Sequence, residues 1–384
     1  MKTVDLFCGC GGLSLGFQKV GFKIVGAFDS WDSAIDCYSN NFNHKAEYLD
    51  LSKKNIALKT IRPLNPEVII GGPPCQDFSS AGGREEGERA NLTISFAKII
   101  KSIHPQYFVM ENVARAKASN AYKEARKLFK DAGYGLTEQV LDASKCGVPQ
   151  KRKRFFCIGA LNENDGFLDK YLAANQSVLP LTVRMYFTNN NYNLPFDFYY
   201  RHPRTYSRRA IFSVDEPAPT VRGVNRPKPA DYTRHPNDAS SPQGVKSLTP
   251  QQRALLQTFP SAFSFGDNLM IAEQMIGNAV PVNLASHVAH SLLAFHKKEA
   301  HSQSMEFIDW LQLKHHFTPL VAKDTISRLV RCNRLVLLQE QPLDIYLSQI
   351  EKNEEYKNLS KTIRSQLKRS ATLYYEYKEC PHHC

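Results

Sequence analysis

A cysteine on a proline-stiffened loop is the side chain in this sequence best suited to covalent chemistry. Cys75 lies in residues 71–79 (GGPPCQDFS), directly after the strand-like run 67–70. A side chain at the carboxyl end of a sheet strand can reach a bound ligand. A thiol with an ordinary pKa of about 8.5 is only a small fraction thiolate at neutral pH, so its site must activate it. We therefore predict that Cys75 is a nucleophile rather than a buried structural cysteine.

Three carboxylates are candidates for the same sheet edge. Glu111 comes directly after the apolar run 107–110, and Asp29 and Asp50 each follow a strand-like run. A carboxylate in such a place can move a proton or hold ribose hydroxyls, although it can also be an ordinary strand-end charge or helix cap. The neighbouring run 151–154 (KRKR) would, on composition alone, be a solvated basic stretch.

A glycine-rich turn opens the chain at residues 5–12 (DLFCGCGG). Glycines between a strand and a helix let the backbone approach a ligand closely. The turn is not GxGxxG, and no Lys-Ser/Thr pair follows it, so neither a dinucleotide site nor a P-loop is supported. By itself the turn predicts only a ligand at the carboxyl end of the first strand.

The elements that must position these groups have the order of a doubly wound α/β domain. Short β-rich runs, most of them apolar, lie at 3–6, 24–28, 67–70, 107–110 and 155–158, and amphipathic stretches of helical spacing separate them. Strands that are apolar throughout are covered on both faces, so we expect a parallel sheet between two layers of helices. Helical patterns return at 251–257 and 282–295, and the chain beyond residue 296 is helical and charged.

Residues 165–245 have a different texture, rich in proline, asparagine and arginine, so we expect neither helices nor long strands there. Residues 199–234 contain eight Arg or Lys against three Asp or Glu, a net charge of +5, with five interleaved Tyr or Phe side chains. The whole chain carries a net charge of +12. Clustered cations among aromatic rings favour a nucleic-acid surface over a merely solvated loop.

The remaining composition is that of an intracellular protein. The 384 residues are 42% hydrophobic, and they include no apolar run of eighteen residues and no signal-peptide pattern at the start. Nine cysteines do not form a disulfide framework in a compartment that keeps thiols reduced. We expect a cytoplasmic protein with no membrane segment.

Five motifs together resemble one family. They are residues 5–12 (DLFCGCGG), 71–79 (GGPPCQDFS), 111–113 (ENV), 150–154 (QKRKR) and 276–281 (IGNAVP). Their order and spacing are similar to those of the cytosine-C5 DNA methyltransferases of bacterial restriction–modification systems, over residues 1 to about 295. The resemblance implies a Rossmann-like lobe that uses S-adenosylmethionine to methylate carbon 5 of a cytosine within a specific duplex DNA sequence.

The resemblance also implies catalytic roles. Cys75 matches the thiolate that adds to carbon 6 of the base, and Glu111 matches the acid at N3. Arg154 and Arg152 match guanidinium groups that hold the base oxygen O2 and the acid. The target base must be flipped out of the duplex to reach them. The base that later removes the carbon-5 proton stays open, and it can be water.

The cofactor site implied by the resemblance combines both ends of the family region. Asp29 matches the ribose carboxylate, Asp50 the adenine contact, and Ser30 and Trp31 leave the adenine-stacking residue open. The other implied contacts are Phe7, Gly9, Cys10, Gly11, Pro74, Asn278 and Val280. Because the last two follow the irregular region, the chain must return to complete the first lobe.

Four segments result: a catalytic and cofactor-binding lobe (1–164), a target-recognition domain (165–245), a return segment (246–299) and a helical C-terminal extension (300–384). Within the second segment, Thr220 and Val221 resemble the threonine–aliphatic pair of the family's recognition loop. The residues predicted to contact DNA are Arg204, Arg209, Thr220, Val221 and Arg222. The family usually has two arginines where Gln251 and Leu255 stand here, with Arg253 between them, which leaves the packing of the recognition domain open.

Two other functions compete with this interpretation. One is a transfer-RNA cytosine-C5 methyltransferase, although its Cys-Phe-Thr tripeptide is absent. The other is a protein that binds DNA without modifying it, which would not need Cys75, Glu111 and Arg154 together. The expected setting is a bacterial restriction–modification system, with a monomer that acts on double-stranded DNA. It would be paired functionally with a cognate endonuclease, without a stable complex.

The extension has no counterpart in the minimal family. Its apolar spacing fits packed helices, and a basic face is expected from Arg328, Arg331, Arg334, Lys361, Arg364 and Lys368. A cap on the catalytic lobe, a set of phosphate contacts and a dimer interface are all open. The last five residues (CPHHC) contain metal-ligand types, but their spacing fits no zinc module, so we predict a frayed tail and no metal.

Overall fold

The computed structural model describes residues 1–74, 90–205, 207–297, 307–338 and 341–379. The strands are β1 (Lys2–Leu6), β2 (Lys23–Asp29), β3 (Glu47–Tyr48), β4 (Val68–Gly71), β5 (Tyr107–Val113), β6 (Tyr134–Asp142), β7 (Gln150–Lys151), β8 (Lys153–Leu161), β9 (Phe198–Tyr200), β10 (Ile211–Ser213) and β11 (Ala218–Pro219). The helices up to residue 297 are α1 (Gly12–Lys19), α2 (Asp32–Asn41), α3 (Lys54–Ile61), α4 (Ala90–Ile103), α5 (Asn120–Asp131), α6 (Asp169–Ala174), α7 (Val183–Asn189), α8 (Pro250–Leu256), α9 (Leu269–Asn278) and α10 (Val282–His296).

Seven of the described strands form one sheet in the order β3-β2-β1-β4-β5-β8-β6. The pairs from β3 to β5 are parallel, as predicted, but β8 is antiparallel to both β5 and β6. The expectation of a wholly parallel sheet is therefore wrong for residues 155–158. The reason is the connection: β6 returns to β8 through residues 143–152 without a crossover helix, and a parallel pair would need one.

Apolar side chains cover both faces of this sheet. On one face Phe17 of α1 packs in the same buried cluster as Leu284 and Val288 of α10. On the other, Phe96 of α4 and Phe129 of α5 share a buried cluster with the sheet. These two layers confirm the predicted doubly wound α/β fold. They also bring α10, which follows the return segment, against the helix that begins at the glycine turn.

The irregular region contains more structure than its composition predicts. Two short helices, α6 and α7, lie where no helix was expected, and the Thr182 side chain caps α7 by accepting from the Met185 amide. This expectation is wrong because local capping and burial of Val183 and Phe187 outweigh the weak helical pattern. Strands β9 and β10 pair antiparallel, and β11 pairs in parallel with β7; each pair is a two-stranded sheet separate from the seven-stranded one.

The chain divides into two compact units. One comprises residues 1–175 and 180–297, and the other comprises residues 176–179 with the chain beyond 297. The boundaries predicted above for a separate recognition domain remain a prediction. Among the described residues, no helix has both the length and the apolar character needed to cross a membrane.

The second unit is helical, as expected for the extension. Its helices are α11 (Phe307–Lys314), α12 (Pro319–Leu335), α13 (Leu343–Lys352), α14 (Glu354–Lys357) and α15 (Lys361–Glu379). They enclose a core of their own around Trp310 and Tyr346. The predicted basic face is partly neutralised, because Arg334 pairs with Glu355 and Lys368 pairs with Glu351. The five-residue tail 380–384 lies outside the described residues.

Candidate active site

The loop that bears Cys75 begins at the centre of the sheet edge. Cys75 itself lies outside the described residues, which stop at Pro74, and Pro74 is half-buried. A methyl group on the Cα of Gly72 would lie 3.3 Å from Oε2 of Glu111. The Asn112 side-chain amide donates to the Pro73 carbonyl at 3.3 Å. The residues that precede Cys75, Gly72 and Pro73, therefore contact β5, the strand that carries the predicted acid.

Glu111 forms a buried ion pair with Arg154. The distance from Arg154 Nε to Glu111 Oε1 is 3.0 Å, and the Glu111 residue is 8% exposed. The pairing follows from the sheet register: Val113 lies opposite Arg154 on β8, so Glu111 is its diagonal neighbour on the same face. Burial raises the pKa of Glu111, and the charges of Arg154 and Arg152 act against that rise.

Arg152, the other predicted base-gripping arginine, has a different environment. It is 1% exposed, and its guanidinium donates to the carbonyls of Val221 (2.8 Å), Gly277 (2.8 Å) and Ala279 (3.0 Å). Hydrogen bonds from a buried cation to three carbonyls hold backbone segments together. Arg154 thus pairs directly with the acid, whereas Arg152 donates to backbone carbonyls and acts on Glu111 through its charge.

The glycine turn is shaped for close approach of backbone groups. Gly9 and Gly11 have φ angles of +53° and +93°, in the region that favours glycine. A methyl group on Gly12 would lie 2.3 Å from the Val280 carbonyl oxygen. The return segment therefore lies directly on the turn, and it brings the predicted cofactor residues of both chain ends together. Phe7 (φ +60°) and buried Cys10 complete this turn.

Asp29 lies at the end of β2 against the same turn. Its carboxylate accepts from the amides of Gly9 (2.8 Å), Ser30 (2.7 Å) and Trp31 (3.0 Å). Burial raises the pKa of Asp29, while these N–H groups act against the rise. Two carboxylate oxygens offer about four acceptor positions, so room remains for ribose hydroxyls. The Asp29 carboxylate, predicted from the sequence to hold the ribose, is therefore anchored at the turn and keeps acceptor positions for hydroxyl donors.

The predicted cofactor residues Asp50 and Asn278 lie near the ends of β3 and α9. Asp50 follows the short β3 by two residues, and Leu49 donates its amide to the Asp29 carbonyl at 2.8 Å. The Ser52 hydroxyl donates to Asp50 at 2.6 Å and lowers the pKa of Asp50. Asn278 ends α9 with an exposed side chain, whereas Val280 is buried.

The full set of motifs is matched by one family model, C-5 cytosine-specific DNA methylase, over residues 1–294. The chain belongs to this family. It is thus a DNA cytosine-5-methyltransferase. Similar curated proteins include the type II methyltransferase M.HgiDI of Herpetosiphon aurantiacus, 54% identical, with 77% of this chain and 95% of that protein covered. M.HindV of Haemophilus influenzae is 51% identical, with 79% and 99% covered.

Solved structures show the same fold. The S. pombe Dnmt2 methyltransferase matches with a TM-score of 0.60 and 19% identity, covering 77% of this chain and 98% of that one. A putative DNA modification methyltransferase from an E. coli prophage matches with a TM-score of 0.54 and 21% identity, covering 77% and 99%. At these identities the match concerns the Rossmann-like fold alone.

The predicted DNA-contacting residues of the methyltransferase fall into two groups. Thr220 and Val221 are fixed against the catalytic lobe: the Thr220 hydroxyl donates to the Lys151 carbonyl, and the Val221 amide donates to Gln150, each at 2.8 Å. Arg222 is half-buried and donates to the His202 carbonyl. The arginines of the second group differ, because Arg204 is exposed whereas Arg209 pairs with Glu216 and lies over the Phe212 ring.

Two groups near the site escaped the sequence analysis. Asp5 is fully buried at the end of β1, and Ser14 donates to it at 2.7 Å. The Tyr38 hydroxyl donates to Ser14 and also lies 2.8 Å from His44 Nε2. Burial raises the pKa of Asp5 to about 7.

The second group that the sequence analysis did not identify is the ion pair between Arg253 of α8 and Glu273 of α9, both buried. Asp5 had a signal, its place before the glycine turn, but no local pattern marks Glu273.

Proposed function

We propose that the enzyme transfers a methyl group from S-adenosylmethionine to carbon 5 of a cytosine in a specific duplex DNA sequence, with Cys75 as the nucleophile. The observation that carries the proposal is the buried Glu111–Arg154 pair beside the root of the Cys75 loop. A nucleophile, an acid and a cation around one sheet edge are the groups that addition to a pyrimidine ring needs.

The chemistry follows from the weakness of carbon 5 as a nucleophile. The Cys75 thiolate adds to carbon 6, and the electron pair of the 5,6 double bond moves to carbon 5, which becomes enamine-like. Glu111 gives a proton or hydrogen bond to N3, where negative charge would otherwise develop. After methylation, loss of the carbon-5 proton restores the double bond and expels the thiolate.

The environment of Glu111 suits this role. Its raised pKa makes the protonated form more accessible than for an exposed glutamate. Arg154 holds one carboxyl oxygen through Nε at 3.0 Å, while Oε2 lies beside Gly72 on the loop side. We assign to Arg154 the contact with the base oxygen O2, and to Arg152 the positioning of backbone segments rather than a contact with the base.

The glycine turn and Asp29 fit the cofactor. Asp29 would hold the ribose, the backbone of Phe7, Gly9, Cys10 and Gly11 would line the methionine and ribose portion, and Asp50, Pro74, Asn278 and Val280 would complete the site. When bound, S-adenosylmethionine supplies a methyl group on a sulfonium, an electrophile for carbon 5. The fit rests on the anchored, half-buried carboxylate of Asp29 and on the close approach of the return segment to the turn.

The partner is double-stranded DNA, and the target cytosine is flipped into the site because a stacked base is out of reach. The similarity to type II methyltransferases supports a place in a bacterial restriction–modification system. We propose a monomer in the bacterial cytoplasm that protects sites from a cognate endonuclease without a stable complex with it.

The test is incubation of the purified full-length protein with methyl-labelled S-adenosylmethionine and, separately, duplex DNA and transfer RNA. Label should enter duplex DNA only, and bisulfite sequencing should place the product at cytosines within one sequence. Label in transfer RNA alone would favour an RNA methyltransferase, and DNA binding without any label would favour a protein that does not modify DNA.

A further inference from the structure

Residues 220–225, which we call the recognition segment, begin with three consecutive carbonyl groups that each accept a hydrogen bond from a different arginine. The Thr220 carbonyl accepts from Arg201 at 2.9 Å, the Val221 carbonyl accepts from Arg152 at 2.8 Å, and the Arg222 carbonyl accepts from Arg253. We call Arg152, Arg201 and Arg253 the arginine cradle. Because the three come from distant parts of the chain, the cradle fixes the backbone of residues 220–222 from several directions.

The Val221 amide and the packing at Gly223 also fix this segment. The Val221 amide donates to Gln150, and the Gln150 amide group donates in turn to Gln257 at 2.8 Å and to the Leu256 carbonyl at 3.2 Å. A methyl group on Gly223 would lie 3.3 Å from the Cα of Gln274 on α9. The backbone that follows Thr220 is thus pressed against the return segment.

Arg253 belongs to a buried ion pair that extends this hold. Arg253 and Glu273 are 5% and 8% exposed. The Asn225 side-chain amide donates to Glu273 Oε1 at 2.9 Å and to the Leu248 carbonyl at 2.9 Å. The pair therefore grips the chain on both sides of Gly223 and Val224: Arg253 holds the Arg222 carbonyl, and Glu273 holds Asn225.

The pair is a poor means of adding stability. Burial lowers the pKa of Arg253 to about 10, and the charge of Arg222 adds to this lowering. Burying the Arg253 charge is therefore unfavourable. Replacing a buried ion pair by apolar residues of similar size is often neutral or stabilising. Such a pair is better understood through the geometry it imposes, here on the residues predicted to contact DNA.

We propose that Arg253 and Glu273 are a specificity-determining positioning pair, which holds residues 220–225 in the one conformation that distinguishes the target sequence from near relatives. The proposal rests on the function proposed above. Loss of the pair would let the backbone of the recognition segment shift. Discrimination between sequences would then fall. The catalytic edge (Gly72, Glu111 and Arg154) and the cofactor turn (residues 7–12 with Asp29) would keep their own contacts.

The decisive variant is the full-length double replacement Arg253→Met/Glu273→Met, which removes both charges without leaving either unpaired. Its melting temperature should equal or exceed that of the wild type. The ratio of kcat/KM on the target duplex to that on single-base-pair variants should fall by about tenfold, within the range expected when one base-pair contact is lost. The cofactor Kd and the kcat on the target should change less than about threefold, as neither depends on this contact.

The matched control is Glu138→Gln, which removes the charge from another Arg–Glu pair, with Arg126, on α5 and β6. Its discrimination should stay at the wild-type level. The conservative variant Arg253→Lys, which keeps the charge, should retain more discrimination than Arg253→Met. If the double variant does not fold, Asn225→Ala takes its place, because it removes the hydrogen bond to Glu273 and leaves the ion pair intact, and its discrimination should fall in the same direction but by less.

Two results would overturn the proposal: wild-type discrimination in the double variant, or an equal loss in Glu138→Gln. Failure of the proposed function is distinguishable, because the wild-type enzyme would then methylate no duplex at all.

Discussion

The catalytic edge and the arginine cradle use guanidinium groups in opposite ways. At the catalytic edge, Arg154 faces a carboxylate whose proton affinity its charge lowers. In the cradle, Arg152 faces neutral backbone carbonyls, which it fixes in place. The first arrangement leaves the acid able to act on a ligand, whereas the second uses the donors of the protein to shape its own backbone. Two arginines separated by one residue thus have different hydrogen-bonding partners.

The largest expected effect is at the acid of the catalytic edge. Glu111→Gln keeps the size of the side chain but removes the proton, so kcat/KM should fall about 10²–10⁴-fold. In the wild type, activity should decline as pH rises through the raised pKa of Glu111, because the acid must be protonated, and the glutamine variant should lack this alkaline decline. Steady-state kinetics across pH checks both. A variant within a few-fold of wild type would remove Glu111 from catalysis.

The buried Asp5 provides a second effect, on stability. A carboxyl whose folded pKa is raised from 3.8 to about 7 contributes stability below pH 4 that is lost as pH rises through 7. Between pH 5 and pH 8 this loss should be about 2–3 kcal/mol of unfolding free energy. Asp5→Asn should remove that loss in denaturant titrations without cofactor.

The control for this measurement is Asp50→Asn. A hydrogen bond from Ser52 lowers the pKa of Asp50, so it is ionised throughout the interval in both states, and its replacement should leave the pH dependence unchanged. If the wild type and Asp5→Asn respond to pH in parallel, Asp5 does not titrate in this range.

The smallest effect separates two arginines outside the cradle. Arg204 is exposed, so Arg204→Ala should weaken DNA binding by about 1–3 kcal/mol. If Arg204 contacts a base, this loss should depend on the identity of a single base pair in the duplex. If it contacts a phosphate instead, the loss should be uniform and the salt slope should fall by about one. Arg209 pairs with Glu216 and lies 4.1 Å from the centre of the Phe212 ring. Arg209→Ala should therefore lower the free energy of unfolding by about 1 kcal/mol, and it should lower DNA affinity by less than that. Equal effects on DNA affinity would contradict this division.

The catalytic edge was largely predictable from the sequence, and the cradle was not. Apolar runs locate the strands, and strand ends place Glu111 and Asp29 at one edge, so local patterns suffice there. The sequence KRKR cannot show that Arg152 points to carbonyls far along the chain while Arg154 pairs with Glu111. The contact between Arg253 and Glu273 depends on how α8 and α9 pack, which no local pattern encodes. The antiparallel β8 escaped for a similar reason, because strand composition does not give direction.

The central claim is that Cys75 attacks the target base. A duplex with 5-fluorocytosine at the target position should trap the wild-type enzyme covalently in the presence of S-adenosylmethionine, because the fluorine cannot leave as a proton does. The complex should survive denaturing electrophoresis, and mass spectrometry should locate the adduct on Cys75. Cys75→Ser should still bind the duplex but should form no adduct, because a hydroxyl has a far higher pKa than a thiol. Equal trapping by the serine variant would contradict the claim and would assign the attack to another residue.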